Sequence, residues 1–291
     1  MRIAIHGRDP QQKSTKLIES VVDYLSRQGV EIIVSEKFLH DVKSPLVRKH
    51  GIKSFGPDVS LKNVNFFLSI GGDGTLLESV TYVGKSGVPI LGINTGRLGF
   101  LATISREGVR SAIDNLIEGT FKTDERTLLH LTSDPPLFTG TPFALNDLTI
   151  MKKDSSSMIT VHVFVDGELL NSYWADGIVV ATPTGSTGYS LSCGGPLIYP
   201  HSESLVITPV SPHNLAARPI VISENSEISF QIEGRSKKFL VSLDSRYETV
   251  DANVKLTVKK EKFKIKLVLL PGYTYFKTLR QKLNWGLDIR N

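Results

Sequence analysis

The amino-acid sequence predicts an α/β N-terminal domain, a Rossmann-like doubly wound parallel sheet, followed by a mostly antiparallel all-β C-terminal domain. Two observations carry this. Over the first 124 residues, short apolar runs alternate with segments of helical periodicity, the pattern of repeated βα units. From about residue 125, apolar residues recur at every second position or gather in β-branched runs, as they do in sheets. A glycine-rich turn between a strand and a helix, GGDGT at 71–75, adds a ligand-binding expectation at the open end of the first sheet.

The elements follow in order. RIAIHG (2–7) reads as a strand. Residues 15–26 place Leu17, Ile18, Val21, Val22 and Leu25 at helical spacing, and Gly29 ends that segment. VEIIVSE (30–36), NFFLSI (65–70) and VPILGIN (88–94) read as further strands, with helices after Thr75 and over 107–118, the latter ending at Gly119. The β texture then runs through HLTS, FALNDLTIMKK, ITVHVFVDGELLNSYWADGIVVAT, PIVIS, EISFQIEG, FLVSLD and VKLTVKKEKFKIKLVLL. Within it, Asp166-Gly167 suits a hairpin turn with positive φ. Residues 271–291 read as helical again. The expected division is therefore 1–124, 125–270, and a C-terminal segment returning to the first domain.

Composition narrows the function classes. Of the 291 residues, 40% are hydrophobic and 22% charged, as in ordinary globular proteins. No apolar run approaches the ~18 residues of a membrane span, and the N-terminus turns polar too early for a signal peptide or anchor. A single cysteine, Cys193, leaves no intramolecular disulfide framework and suits a reducing cytoplasm. The net charge of +5 fits anionic small molecules. The clustered lysines of VKKEKFKIK alternate with apolar residues, as on the wet face of a strand, so neither a nucleic-acid nor a membrane partner is expected. The histidines show no metal-ligand spacing.

Three stretches carry chemistry. In GGDGT, the glycines allow close backbone approach and the helix start offers free N–H groups, a phosphate cradle. Neither a Walker loop nor a GxGxxG fingerprint is present. Asp73 is then either the helix cap or a group that handles a metal ion or an attacking hydroxyl. In ADGIVVATPTGSTGYSLSCGGPLIYP (175–200), a buried strand empties into hydroxyl side chains among glycines, suited to ribose and amide groups or to an ordinary serine-rich loop. Asn146 and Asp147 in ALND stand at a strand edge, able to accept from paired ribose hydroxyls or to form a local turn. His213 and Arg218 are phosphate contacts or local hydrogen bonders.

Together with NTGRLGFL at 94–101 and SPHNLAARPI at 211–220, these stretches resemble the NAD kinase family over most of the chain. GGDGT alone is shared with diacylglycerol and sphingosine kinases and phosphofructokinases; the 175–196 motif is the specific one. The resemblance implies ATP-dependent phosphorylation of the 2′-hydroxyl of the adenosine ribose of NAD⁺, with Mg²⁺ accompanying ATP and polyphosphate as an alternative donor. It also implies a homodimer or homotetramer whose subunits contribute to one another's sites. Carried over position by position, Asp73 is the catalytic carboxylate, with Gly72, Gly74 and Thr75 near phosphate. Arg97 lies near the phosphates and Phe100 near the adenine. Asn146 and Asp147 hold a ribose or the adenine region, Asp176 hydrogen-bonds the ligand, and Thr184, Thr187, Gly188, Tyr189 and Ser192 line the dinucleotide pocket. The sequence departs from the family pattern in three places. Asp147 stands where glutamate is common, Gly188 where alanine is common, and Asp244-Ser245 where an Asp-Gly turn is common; the last position is not counted in the site. A lipid kinase and a non-catalytic NAD(P)-binding sensor are the competing readings.

Overall fold

In a computed structural model, residues 1–8, 14–42, 51–153, 157–235 and 237–284 are described, and the chain forms two compact units. One comprises Met1–Glu125 with Ile265–Asn291, the other Arg126–Lys264. Residues 285–291 of the expected C-terminal helical segment lie outside the described residues.

The first unit is built on strands β1 (Arg2–Gly7), β2 (Glu31–Ser35), β3 (Lys53–Phe55), β4 (Phe66–Gly71), β5 (Ile90–Asn94) and β6 (Lys122–Arg126). The strand Ile265–Leu269 completes a seven-stranded sheet in the order β3-β2-β1-β4-β5-(265–269)-β6. Pairings among β1 to β5 are parallel. Residues alternate across β4: Phe66, Leu68 and Ile70 join one apolar cluster with helices α1 (Thr15–Arg27) and α4 (Val109–Glu118). Phe67 points the other way and stacks on Tyr82 of helix α3 (Asp73–Val83). Both faces of the sheet are thus covered, which is why FFLSIG is buried throughout. Helix α1 buries Ile18, Val21, Val22 and Leu25, one stripe at helical spacing. The short helix α2 (Glu36–Asp41) starts where the Ser35 hydroxyl accepts from the Phe38 N–H.

The second unit contains strands β7 (Leu129–Asp134), β8 (Phe143–Ala144), β9 (Asp147–Lys152), β10 (Ile159–Val165), β11 (Glu168–Ala175), β12 (Gly177–Ala181), β13 (Ser204–Val210), β14 (Ile220–Ser223), β15 (Ile228–Glu233), β16 (Lys238–Leu243), β17 (Arg246–Asp251) and β18 (Lys255–Lys260). They form two six-stranded sheets, β11-β10-β15-β18-β7-β8 and β14-β13-β12-β9-β16-β17, with antiparallel pairings. Apolar side chains from both sheets share one core, as in a sandwich. Asp166 and Gly167, both at positive φ, make the expected hairpin between β10 and β11. Strand β12 is buried on both faces: Ile178 and Val180 join that core, while Val179 and Ala181 pack with Ile198 and Cys193 of the folded-back segment 183–200. A glycine- and hydroxyl-rich segment is thereby laid on rigid sheet.

After Lys264 the chain returns to the first unit, where Ile265–Leu269 (β19) pairs in parallel with β5 and helix α5 (Tyr275–Leu283) follows. Lys259 and Lys260 of β18 meet Glu227 and Glu224, so the lysine-rich stretch is an ion-paired strand face.

Candidate functional site

The strand order of the first sheet reverses between β1 and β4, so the turn after β4 lies at its topological switch point, where open α/β sheets bind ligands. That turn is Gly71-Gly72-Asp73-Gly74. Helix α3 begins at Asp73, with the Gly72 carbonyl accepting from Thr75 and Leu76. Helix geometry leaves the first N–H groups, those of Asp73 and Gly74, without an intrahelical partner. The glycines differ in kind. A Cβ at Gly71 would lie 2.2 Å from Thr75 Oγ1, so packing demands glycine there, whereas one at Gly72 or Gly74 would meet nothing within 4 Å. At those two positions the chain itself has no need of glycine, and the freed space is available to a ligand.

Asp73 does not cap its own helix. Its Oδ2 accepts from Phe100 N–H (2.8 Å), and its Oδ1 from Leu101 (3.0 Å) and Ala102 (2.9 Å). The carboxylate is a clasp on the far loop, 94–102. Gly99 permits it, since a Cβ there would sit 1.9 Å from Asp73 Oδ1. Buried Asn94 shapes the same loop, donating to the Arg97 and Ala102 carbonyls (2.6 and 3.3 Å) and accepting from Gly96 N–H (2.7 Å). Arg97 is left exposed, and the Phe100 ring lies 5.9 Å from Lys282 Nζ. A carboxylate offers about four lone-pair sites. Three are used here, leaving one on Oδ2 for a further donor.

In the second unit, Asn146 and Asp147 sit between β8 and β9. Asn146 Oδ1 is buried without a hydrogen-bond partner, and Asp147 is buried. Burial, and then the charge of Asp244, push the Asp147 carboxyl from 3.8 up to about 7. The segment 183–195 closes against them. A Cβ at Gly185 would come within 2.1 Å of the Asn146 carbonyl, and one at Gly188 would lie 3.5 Å from Asn146 Nδ2 and 3.6 Å from Asp147 Oδ2. Its hydroxyls divide. Ser186 and Ser190 are buried and hold the segment together, Ser186 with Pro183 and Ile198, Ser190 with Thr208. Thr184 accepts from buried Arg126 (3.2 Å), and Thr187 donates to the Thr184 carbonyl. Tyr189 and Ser192 are exposed. The Asp176 carboxylate, at the end of β11, pairs with Lys152.

Sequence reasoning passed over several groups that build these arrangements: Asn94, Gly99, Arg126 and Asp244. Asn94 and Gly99 lie inside NTGRLGFL and were within reach; Arg126 and Asp244 act across 58 or more positions and were not. A further cluster stands beside the first-unit turn. Glu78 on α3 binds Arg8 (2.9 Å), Lys37 and buried His6 (3.4 Å). Burial raises its pKa, but these three partners outweigh that and hold it at about 2. His213 and Arg218 serve their own loop: the His213 ring lies 4.3 Å from that of Trp174, and Arg218 donates to the Leu215 and Ala217 carbonyls.

The chain matches the ATP-NAD kinase N-terminal domain over residues 3–121 and the ATP-NAD kinase C-terminal domain over 145–270. It is 52% identical to an NAD kinase of Cytophaga hutchinsonii over 292 residues, covering 100% of both chains. It is 47% identical to an NAD kinase of Flavobacterium johnsoniae over 294 residues, again covering 100% of both. Among solved structures, an NAD kinase from Archaeoglobus fulgidus in complex with ATP aligns with a TM-score of 0.74 and 27% identity, covering 98% of this chain and 99% of that one. Yeast NADH kinase complexed with NADH shares the fold with a TM-score of 0.84 at 23% identity, covering 100% of this chain and 89% of that one.

Proposed function

The chain belongs to the NAD kinase family, and we propose specific roles for its residues in the ATP-dependent phosphorylation of NAD. ATP is the phosphoryl donor and NAD the acceptor. The acceptor atom we assign is the 2′-hydroxyl of the adenosine ribose, so that NADP⁺ and ADP are the products. That oxygen attacks the γ-phosphorus in line, the bond from phosphorus to the β–γ bridging oxygen breaks, and ADP leaves.

Asp73 orients the attacking hydroxyl. The observation that carries this role is the remaining acceptor position on Asp73 Oδ2, set at the switch point beside Gly72 and Gly74. The hydroxyl proton moves toward that oxygen as the new bond to phosphorus forms. Held by three backbone N–H groups, the carboxylate keeps a fixed direction, so little reorganisation accompanies transfer. The open amides at the start of α3 and exposed Arg97 face phosphate charge. In the second unit, Asn146 and Asp147 take ribose or adenine polar groups, with Gly188 clearing space beside them. Thr184, Thr187, Tyr189, Ser192 and Asp176 complete the dinucleotide contacts.

Among the described residues, no cluster of three or more His, Cys, Asp or Glu side chains could hold a metal ion, and Asp73 is largely engaged. These residues do not fit a resident metal site. We therefore assign the divalent cation to the substrate, as Mg-ATP.

The test is Asp73→Asn, assayed with Mg-ATP and NAD⁺ and coupled to an NADP-specific dehydrogenase. General-base and orienting effects are worth roughly 10²–10⁴-fold, so kcat falls by about that factor while circular dichroism is unchanged. Near wild-type turnover would refute the role of Asp73.

A further inference from the structure

We propose that Asp244 is a positioning residue, clasping the backbone of 145–147 so that the Asn146 and Asp147 side chains are presented to the dinucleotide. The inference rests on the reading that these two side chains bind NAD.

Asp244 stands at the tip of the β16–β17 hairpin, where Leu243 pairs with Arg246. Its φ of 54 is a left-handed conformation uncommon for a residue with a Cβ. The strained tip turns the carboxylate back across the sheet. Oδ2 accepts from Leu145 N–H (2.9 Å), and Oδ1 from Asn146 (2.7 Å) and Asp147 (3.2 Å). The Asp244 N–H donates in turn to the Asp147 carbonyl (2.9 Å). From the opposite side, the Thr182 hydroxyl donates to the Leu145 carbonyl (2.6 Å) and the Thr182 N–H to that of Asn146 (2.9 Å). Every backbone donor and acceptor of 145–147 therefore has a partner. No rotation of this segment is possible without breaking a buried hydrogen bond, at a cost of about 1–3 kcal/mol for each group left unpaired.

With the backbone satisfied, the side chains are not needed for local turns, and Asn146 Oδ1 is left buried without a partner. Arg246 steadies the same corner. It donates to the Thr141 carbonyl and hydroxyl (2.6 and 2.7 Å) and to the Phe143 carbonyl, fixing the strand that leads into 145. The arrangement repeats the Asp73 clasp of the first unit: in each, one carboxylate gathers three successive N–H groups of a distant loop.

A scaffold residue alone would alter only stability. Asp244 has a second effect, because its charge acts on Asp147. The other titratable groups around Asp147 are Tyr189 and Cys193 on the covering segment, with Arg246 beside Asp244. Burial raises the Asp244 carboxyl as well, opposed by the three N–H donors and Arg246, so the two buried carboxyls form a coupled pair in which the charge of Asp244 raises Asp147.

The experiment compares wild type, Asp244→Asn, Asp244→Glu and Asn146→Ala, measuring KM and kcat for NAD⁺ and for ATP from pH 5.5 to 9, with urea unfolding alongside. Asp244→Asn removes the charge, Asp244→Glu keeps it but displaces it. Both raise KM for NAD⁺ about 10- to 100-fold, the loss expected from charge-assisted hydrogen bonds, and leave KM for ATP in place. Only Asp244→Asn moves the pH midpoint of KM for NAD⁺ downward; Asp244→Glu retains it and remains measurable should the asparagine variant not fold. Lowered stability with KM and midpoint unchanged in both variants would overturn the proposal. Wild-type KM in Asn146→Ala would instead overturn the assignment of the NAD contacts on which it rests.

Discussion

Replacing Asp147 with asparagine stabilises the second unit increasingly as pH rises. The wild-type carboxyl is buried beside Asp244, which places its folded value at about 7 against an unfolded 3.8. A folded pKa raised above the unfolded one means that stability is fully present below the unfolded value. It is lost as pH rises through the window from 3.8 to about 7, because the unfolded chain sheds its proton first. At about 1.36 kcal/mol per unit, the whole window is worth about 4 kcal/mol, and the part lying between pH 5 and pH 8 about 3 kcal/mol. Asp147→Asn abolishes this titration without changing side-chain size. Urea unfolding at pH 5 and pH 8 is the assay. The stability difference between variant and wild type is expected to grow by about 3 kcal/mol between the two conditions, roughly 1 M or more in midpoint for a urea slope of about 2–3 kcal/mol/M. A difference that is the same at both pH values would show that Asp147 is ionised throughout, and would remove the electrostatic part of the Asp244 argument.

The Glu78 cluster has the opposite sign. Its folded value of about 2 lies below the ordinary 4.5, so the stability it contributes is present above 4.5 and lost as pH falls toward 2. Glu78→Gln is expected to cost up to about 3 kcal/mol at pH 7 by urea unfolding, converging on wild type near pH 2; equal penalties at both ends would refute the ion-pair account. Gly99→Ala tests the Asp73 clasp. The added methyl would lie 1.9 Å from Asp73 Oδ1, so the 94–102 loop must shift, and kcat is expected to fall at least tenfold in the NADP⁺-coupled assay with the fold retained. Unchanged turnover would show that the clasp is dispensable.

Patterning in the chain determined much of this molecule. The stripe Ile18, Val21, Val22, Leu25 is one face of a helix whatever surrounds it, and the continuous run FFLSI belongs to a strand covered on both sides. The turn of the β10–β11 hairpin follows from Asp166-Gly167, and the glycine-rich turn 71–74 from its place between strand and helix. Those features rest on interactions within a few residues, where spacing and backbone preference decide the outcome.

What Asp73 touches was a different matter. Its two readings from the sequence, helix cap or catalytic group, are both local to GGDG, yet its carboxylate reaches 27 to 29 positions along the chain to the 100–102 amides. Asp244 reaches back 97 to 99 positions to 145–147, a contact that the residues around LDSR do not foretell. The upward shift of the Asp147 carboxyl depends on burial and on that same distant charge. Residue types and spacing thus supplied the sheet, the turns and the chemical inventory. Which carboxylate fixes a loop, and which has a second carboxylate beside it, was decided by the packed fold alone, because hydrogen-bond donors and neighbouring charges are set by proximity in space, not by separation along the chain.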